Sequence, residues 1–249
     1  MAWLSSLYIV ALVSQRPVCY NPASIQSLWW HMDFTVRPMR PDDIPQLVEI
    51  EREAFPTTWP PTLFKRELEN KVARYLVAFM RWREPDDGPS DAPLLEVPKP
   101  WLQRLLGGVR DIFTLPPEVL HSHQDFIAGY VALWFVVDEA HITSIAIRED
   151  YRRLGLGELL MMGAIELASA REANQVTLEA RISNFPAHAL YEKYGFKRTG
   201  LRKGYYTDNR EDAVLMTVDG ILTPEYKEMY RNLVEAFSEL RGQPTLTLA

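Results

Sequence analysis

Along this chain the spacing of apolar residues switches between two and three-to-four, and those switches mark its elements. Thr35 to Arg40 alternates as T-V-R-P-M-R and reads as a short edge strand, since Pro38 removes a ladder donor. Asp42 and Asp43 are helix-start signals for Ile44 to Phe55, whose Ile44, Leu47, Val48 and Ile50 form a stripe. A second helix is expected after Pro60-Pro61, running to Asn70, and a strand from Arg74 to Met80. Phe126 to Val137 is almost continuously apolar, the pattern of a strand covered on both faces. Asp138-Glu139 marks a turn, and His141 to Arg148 the next strand. The helix expected over Gly157 to Ala173 is apolar around most of its surface and is therefore buried. Then come a strand at Gln175 to Arg181, a helix from Pro186 to Tyr194 stopped by Gly195, and strands near Phe196 to Leu201 and Asp212 to Val218. An amphipathic helix over Pro224 to Leu240 ends the pattern. The order predicts a mixed α/β (α+β) sheet flanked by helices, without strict doubly wound alternation.

Two segments fall outside this rhythm. Residues 84–124 are rich in Pro, Gly and Asp and read as an insertion between two core strands. Its His121 and His123 have no clear further ligand nearby, so no metal site is expected. Residues 1–32 read as an extension. Met1 to Val13 is apolar but too short to span a bilayer, and it lacks the charge and cleavage site of a signal peptide. The regular pattern starts just after Met32, which is expected to be the native start; Met1 or Ala2 at the N-terminus of native protein would refute that. The expected division is an extension at 1–32, a core domain at 33–220 and a C-terminal helix and tail at 221–249.

Composition narrows the picture. The chain has 249 residues, 47% hydrophobic and 24% charged, which suits one globular core with appendages. A net charge of −6 argues against a broad nucleic-acid surface and is compatible with a basic substrate. A single cysteine, Cys19, excludes an intrachain disulfide and a Cys-based metal cluster, so a reducing, cytoplasmic setting with no membrane association is expected.

The candidate chemistry centres on Arg152-Arg153-Leu154-Gly155-Leu156-Gly157, between a strand and the long helix. Glycines let backbone approach a ligand closely, and the first helical N–H groups then suit a phosphate or pyrophosphate, with two arginines adding charge. A tight turn with a glycine for helix packing would look the same. A dinucleotide fingerprint fits poorly, because Leu160 stands where its third glycine belongs and the upstream sheet order is wrong, although Glu179 lies about twenty residues on. A Walker loop is excluded, since no Gly-Lys-Ser/Thr follows.

R-R-L-G-L-G resembles the R/Q-x-x-G-x-G/A motif with which GNAT acetyltransferases hold the pyrophosphate of acetyl-coenzyme A. The resemblance extends through D-E-A-H-I-T-S-I-A-I-R-E-D-Y, then L-E-A-R-I-S-N-F-P-A-H-A-L-Y-E-K-Y-G-F, then R-K-G-Y-Y and N-R-E-D-A-V-L-M, with E-R-E-A-F-P-T-T-W-P upstream. It covers about Thr35 to Val218 apart from the insertion, and it is to the branch that acetylates the N-terminal alanine of ribosomal proteins. It implies a GNAT fold: a central, mostly antiparallel mixed sheet, splayed at the cofactor site. It implies acetyl-coenzyme A as co-substrate, no metal, and direct transfer to a protein N-terminal α-amine, here that of a small-subunit ribosomal protein.

The resemblance also implies roles. Glu179 is the base; a strand carboxylate paired with Arg181 is the plainer reading of the same residue. As a carboxylate it needs burial or a water relay to accept an amine proton. Tyr191 is the acid for the departing thiolate. Ile145, Ala146 and Ile147 offer backbone groups to the pantetheine arm and acetyl carbonyl; Arg152, Arg153, Leu154, Gly155, Leu156, Gly157 and Glu158 surround the pyrophosphate; Asn184 contacts the arm. Glu158 departs from the pattern, since relatives carry a non-acidic residue there, and it either repels phosphate or turns away. The acceptor groove is expected between the loop at Trp59 and the hairpin with Tyr205, Tyr206 and Glu211. The rival functions are acetylation of a polyamine or aminoglycoside, and a non-catalytic module that binds acetyl-coenzyme A; Glu179 and Tyr191 together favour catalysis.

Overall fold

The structure, a computed structural model, describes residues 34–55, 61–80 and 125–248. The expectations for residues 1–32, for the insertion at 84–124 with its two histidines, and for Trp59 lie outside the described residues. Eight strands form one sheet in the order β6-β7-β5-β4-β3-β2-β1-β8. They are β1 Phe34–Pro38, β2 Ala73–Met80, β3 Phe126–Val136, β4 Glu139–Ile147, β5 Gln175–Arg181, β6 Lys197–Tyr206, β7 Glu211–Asp219 and β8 Thr245–Leu246. All neighbours are antiparallel except β4 with β5 and β1 with β8. The helices are α1 Ile44–Ala54, α2 Phe64–Glu69, α3 Leu156–Ala170, α4 Phe185–Lys193 and α5 Pro224–Arg241. Among the described residues no helix is long and apolar enough to cross a membrane.

The sheet is covered on both faces at its centre, as the unbroken apolar run of β3 requires. On one face Leu76, Ala78, Val131 and Leu133 pack against α3, whose Leu159, Leu160, Met161, Met162 and Ile165 are buried. On the other, Tyr75, Val77, Ile127 and Tyr130 meet Leu47 and Ile50 of α1 and Phe64 of α2. β3 leaves that cover early: Trp134 and Val136 are exposed and Val137 has φ of +56°, so the chain turns at Val137 and Asp138 and Glu139 already belongs to β4. Gly129 has a steric reason to be glycine. A Cβ there would lie 2.7 Å from the carbonyl oxygen of Ala146, too close for the β3–β4 pair to form as it does.

Two local expectations shift, and one element is new. Asp43 does not cap α1 with its side chain. It is buried and takes a forked pair of bonds from Arg37 at 2.6 and 2.9 Å, locking β1 to the start of α1. α2 begins at Phe64 because Thr62 bonds through backbone and hydroxyl to buried Glu51 of α1, holding Thr62 out of the helix. β8 had no sequence-based expectation. α5 packs on α3, with Tyr226 and Phe237 buried and Tyr230 donating to the Met162 carbonyl, and the chain then reaches the far sheet edge, where Thr245 and Leu246 pair with Thr35 and Val36.

Candidate active site

β4 and β5 pair only from Glu139–Gln175 to Ile142–Leu178. Beyond that point the two strands separate. Ser144 to Ile147 still pair with β3 on one edge, and Glu179 to Arg181 still pair with β7 on the other. Thr143 is an extra residue in β4, a bulge that turns the strand as it leaves its neighbour. The backbone groups of Ile145 and Ala146 on the β5 side therefore have no ladder partner, which leaves them available to a ligand in the opening, while the Ile147 carbonyl accepts Arg152 Nε at 3.3 Å.

The glycine loop lies where β4 ends. Arg148 is bonded to Glu49 and Glu53 of α1, after which the chain makes a short turn at Glu149–Tyr151 and passes through Arg152 and Arg153. Arg153 has φ of +66° and Gly155 φ of +86°, so the loop folds back sharply before α3 starts. Among the described residues no side chain caps α3, whose N-cap is Gly155, and its first bonded N–H is that of Leu159, to the Gly155 carbonyl. The amides of Leu156, Gly157 and Glu158 remain as donors at the positive end of a long helix, a geometry suited to pyrophosphate oxygens. Glu158 does not oppose this. Its carboxylate is turned to α4, where it pairs with Lys193 and accepts the Tyr194 hydroxyl at 3.0 Å.

At the mouth of the split stands Glu179, its side chain 6% exposed. Arg181 is not its partner, as the plainer reading had it; Arg181 bonds Asp208 and Glu211. Glu179 instead holds His141 of β4 through Oε2 at 3.1 Å and Arg202 of β6 through Oε1 at 2.9 Å. The hydrogen bond from His141 outweighs burial and, with the Arg202 charge, holds the Glu179 carboxyl below the usual carboxylate range. Burial alone therefore does not make Glu179 a stronger base. His141 continues the chain: Nδ1 lies 2.7 Å from the Thr177 hydroxyl, which also bonds the Glu139 carboxylate.

His141 was missed from sequence. Its signal was the alternation of A-H-I and T-L-E. Ala140, Ile142, Val176 and Leu178 face the α3 core, so His141, Thr177 and Glu179 must share the opposite face. The alternation was visible in each strand; the parallel pairing that aligns them was not.

Tyr191, on α4, is buried beside Phe196, and burial raises its phenol well above the ordinary value. Asn184 caps α4, its Oδ1 accepting the Ala187 amide at 3.3 Å, and its side-chain NH₂ has no partner among the described residues. Tyr205 and Tyr206 stand edge to face at 5.3 Å, with the Arg202 guanidinium over Tyr205 and that of Arg181 over Tyr206. Glu211 is taken up within the protein: it accepts the Ser183 amide at 2.9 Å and an Arg181 N–H at 3.0 Å, tying the β6–β7 hairpin to the approach to α4. Asp212 likewise accepts the Gly204 amide. A cavity of about 690 Å³ opens between α1, α2 and the sheet, lined by Glu51, Tyr75, Trp134, Thr143 and Ser144 among others, so it reaches the unpaired part of β4.

A sheet split between its fourth and fifth strands, with a glycine loop and helix start facing the gap, is the arrangement the sequence resemblance implied. The sequence profile of the acetyltransferase (GNAT) family matches residues 76–196. A Bacillus subtilis (strain 168) protein, provisionally named a [ribosomal protein bS18]-alanine N-acetyltransferase, is 37% identical over 184 residues, 74% of this chain and 93% of its own length. The chain belongs to the GNAT acetyltransferase family. An N-alpha-acetyltransferase of Saccharolobus solfataricus is 32% identical over 74% of this chain and 92% of its own. Among solved structures, the ribosomal-protein-S18-alanine N-acetyltransferase of Escherichia coli superposes with a TM-score of 0.53 at 25% identity, over 76% of this chain and 94% of that one. As a GNAT member this chain is an acyltransferase working on an amine, and members of the family draw the acetyl group from acetyl-coenzyme A.

Proposed function

We propose that the chain acetylates the N-terminal α-amine of a protein, with acetyl-coenzyme A as donor and the N-terminal alanine of a small-subunit ribosomal protein as acceptor. The Bacillus and Escherichia relatives are named for that acceptor. The reading assigns 33–220 to the catalytic domain and 221–249 to an appended helix and tail, and places the work in the cytoplasm, where ribosomal proteins are made. The observation that carries the catalytic part is the Glu179–His141 contact at the mouth of the split.

The donor supplies an activated acyl carbon; this chain must orient it, take a proton from the amine and stabilise the leaving sulfur. Backbone groups of Ile145 to Ile147 and the loop Arg152 to Glu158, with Asn184, hold and orient the donor. An α-amine has a pKa near 8 and a carboxylate one near 4, so direct transfer to Glu179 is uphill by roughly 5 kcal/mol. The network around Glu179 eases this. The contacts Glu139–Thr177, Thr177–His141 and His141–Glu179 form one hydrogen-bonded chain, so a proton taken from the ammonium at Glu179 is shared along it. As the amine nitrogen bonds to the acyl carbon and the carbon–sulfur bond breaks, the electron pair goes to sulfur. Tyr191, kept protonated by burial, donates a hydrogen bond there. A thiol is a stronger acid than a phenol, so the hydroxyl stabilises the thiolate more than it fully protonates it.

Coenzyme A release from acetyl-coenzyme A, measured against peptides differing in their first residue, with spermidine in parallel, tests the reading. Turnover of Ala-starting peptides, abolished when they are already acetylated, is expected. Turnover of spermidine alone would overturn the acceptor, and tight donor binding without turnover of any acceptor would overturn catalysis.

A further inference from the structure

Arg241 is the last residue of α5, some ninety positions beyond the glycine loop, yet its Nη1 donates to the Leu154 carbonyl at 2.9 Å. It also fills the space in front of Gly155: a Cβ on that glycine would meet the Arg241 Cδ and Nε at 2.6 Å. The side chain is thus held against the loop through Nη1 and through Cδ, Nε and Cζ beside Gly155. With Nη1 spent on the carbonyl, the Nε–Nη2 edge is the one that can take two oxygens of a phosphate in a forked contact.

Arg152 donates to the Ile147 carbonyl and Arg241 to that of Leu154. Among the described residues no carboxylate lies within ion-pair distance of either, or of Arg153, so no acid has to be displaced for them to take an anion. Arg152 and Arg241 thus put two unneutralised guanidiniums beside the loop that leads into α3, where an anion is favoured.

We propose that Arg241 is a phosphate-binding residue of the coenzyme A site, brought to the loop from outside the motif by the C-terminal helix. The inference rests on the donor being acetyl-coenzyme A. α5 can hold the guanidinium in place because it is tied to the domain along its length. Tyr226 donates to the Tyr194 carbonyl at 3.1 Å, Tyr230 to that of Met162, and past Gly242 the chain joins the sheet as β8. The C-terminal segment is then part of the donor site as well as a cover for the α3 core.

Calorimetric titration of the full chain with coenzyme A, dephospho-coenzyme A and adenosine 3′,5′-bisphosphate tests this at two salt concentrations. Arg241→Gln removes the charge and keeps an amide donor; Arg241→Lys keeps the charge without the fork. Arg241→Gln is expected to weaken coenzyme A about tenfold at low salt and to flatten the salt dependence of Kd, with Lys between the two. Weakening of coenzyme A but not its dephospho form would place Arg241 on the 3′-phosphate, and equal weakening of both on the pyrophosphate. Tyr230→Phe loosens α5 without touching the loop, and it should leave the salt dependence as it was. An Arg241→Gln protein with unaltered Kd and salt slope would overturn the assignment, as would a Tyr230→Phe protein that matches its loss. Failure of the unaltered chain to bind coenzyme A at all would overturn the donor reading itself.

Discussion

His141 Nε2 lies 3.1 Å from Glu179 Oε2, across two parallel strands that stop pairing one residue beyond His141. The contact lies where the pairing ends and holds the carboxylate at the opening while lowering its pKa. The His141 bond is the largest cause of the low Glu179 pKa. Glu179→Gln is expected to lower kcat by about 10² to 10⁴ with little change in donor Kd. Because the wild-type carboxyl titrates below 4.5, the acid limb of kcat/KM should contain no Glu179 step above that pH. His141→Ala should let the Glu179 titration move upward, as burial opposes one fewer partner. A pH–rate profile with the same acid limb in both proteins would refute the coupling.

Glu211 gives a stability prediction whose sign is fixed by its pKa. The Ser183 hydrogen bonds, chiefly, with help from Arg181 and Asn209, lower it from 4.5 to about 2. A carboxyl depressed on folding adds stability that is complete above its unfolded value and is lost as pH falls through its folded value, here between about 4.5 and 2. Glu211→Gln should destabilise the chain by about 1 kcal/mol at pH 7, from weakened bonds to Ser183 and Arg181. The gap between the urea midpoints of mutant and wild type should shrink as pH drops from 7 to 3. A gap that widens would contradict the assigned sign.

These two residues also show what could be read without coordinates. The strand Gln175–Arg181 and the stop at Gly195, with φ of +86°, follow from local alternation and glycine geometry, and both lie where expected. Glu179 was reachable through a motif. Its true neighbours were not, because His141 and Arg202 come from strands 38 and 23 positions away in the chain and only the pairing aligns them. Glu211 was expected in the acceptor groove for the same reason: nothing local says that Arg181 and Ser183 will consume it. The β8 pairing has no local signature at all, since two residues carry no period. Trp134 and Val136 extend an apolar run that the sheet does not cover, so composition overstated burial at that end.

Tyr191 separates catalysis from packing. Its ring is buried against Phe196, but its hydroxyl has no hydrogen bond among the described residues. Tyr191→Phe keeps the ring and should change the thermal midpoint by no more than about 2 °C. If the hydroxyl stabilises the departing sulfur, kcat should fall by about 10- to 100-fold. Retained kcat in a protein of unaltered stability would show that Tyr191 is a core aromatic only.

Gly155 joins the loop's conformation to its charge. With φ of +86° it occupies a region where an L side chain costs about 1 kcal/mol or more, and the Cβ of Gly155→Ala would also lie 2.6 Å from the Arg241 side chain. The arginine is flexible and exposed, so it can swing away; the backbone strain cannot be relieved that way. The expected result is a modest loss of stability, about 1–2 kcal/mol, with a larger loss of coenzyme A affinity, because the substitution disturbs the amides at the start of α3 and displaces a guanidinium together. Combining Gly155→Ala with Arg241→Gln should then cost less affinity than the sum of the two single changes, since the first already removes much of what the second deletes. Strict additivity in the titrations would mean that Gly155 and Arg241 act on coenzyme A independently, and that their contact is incidental to binding.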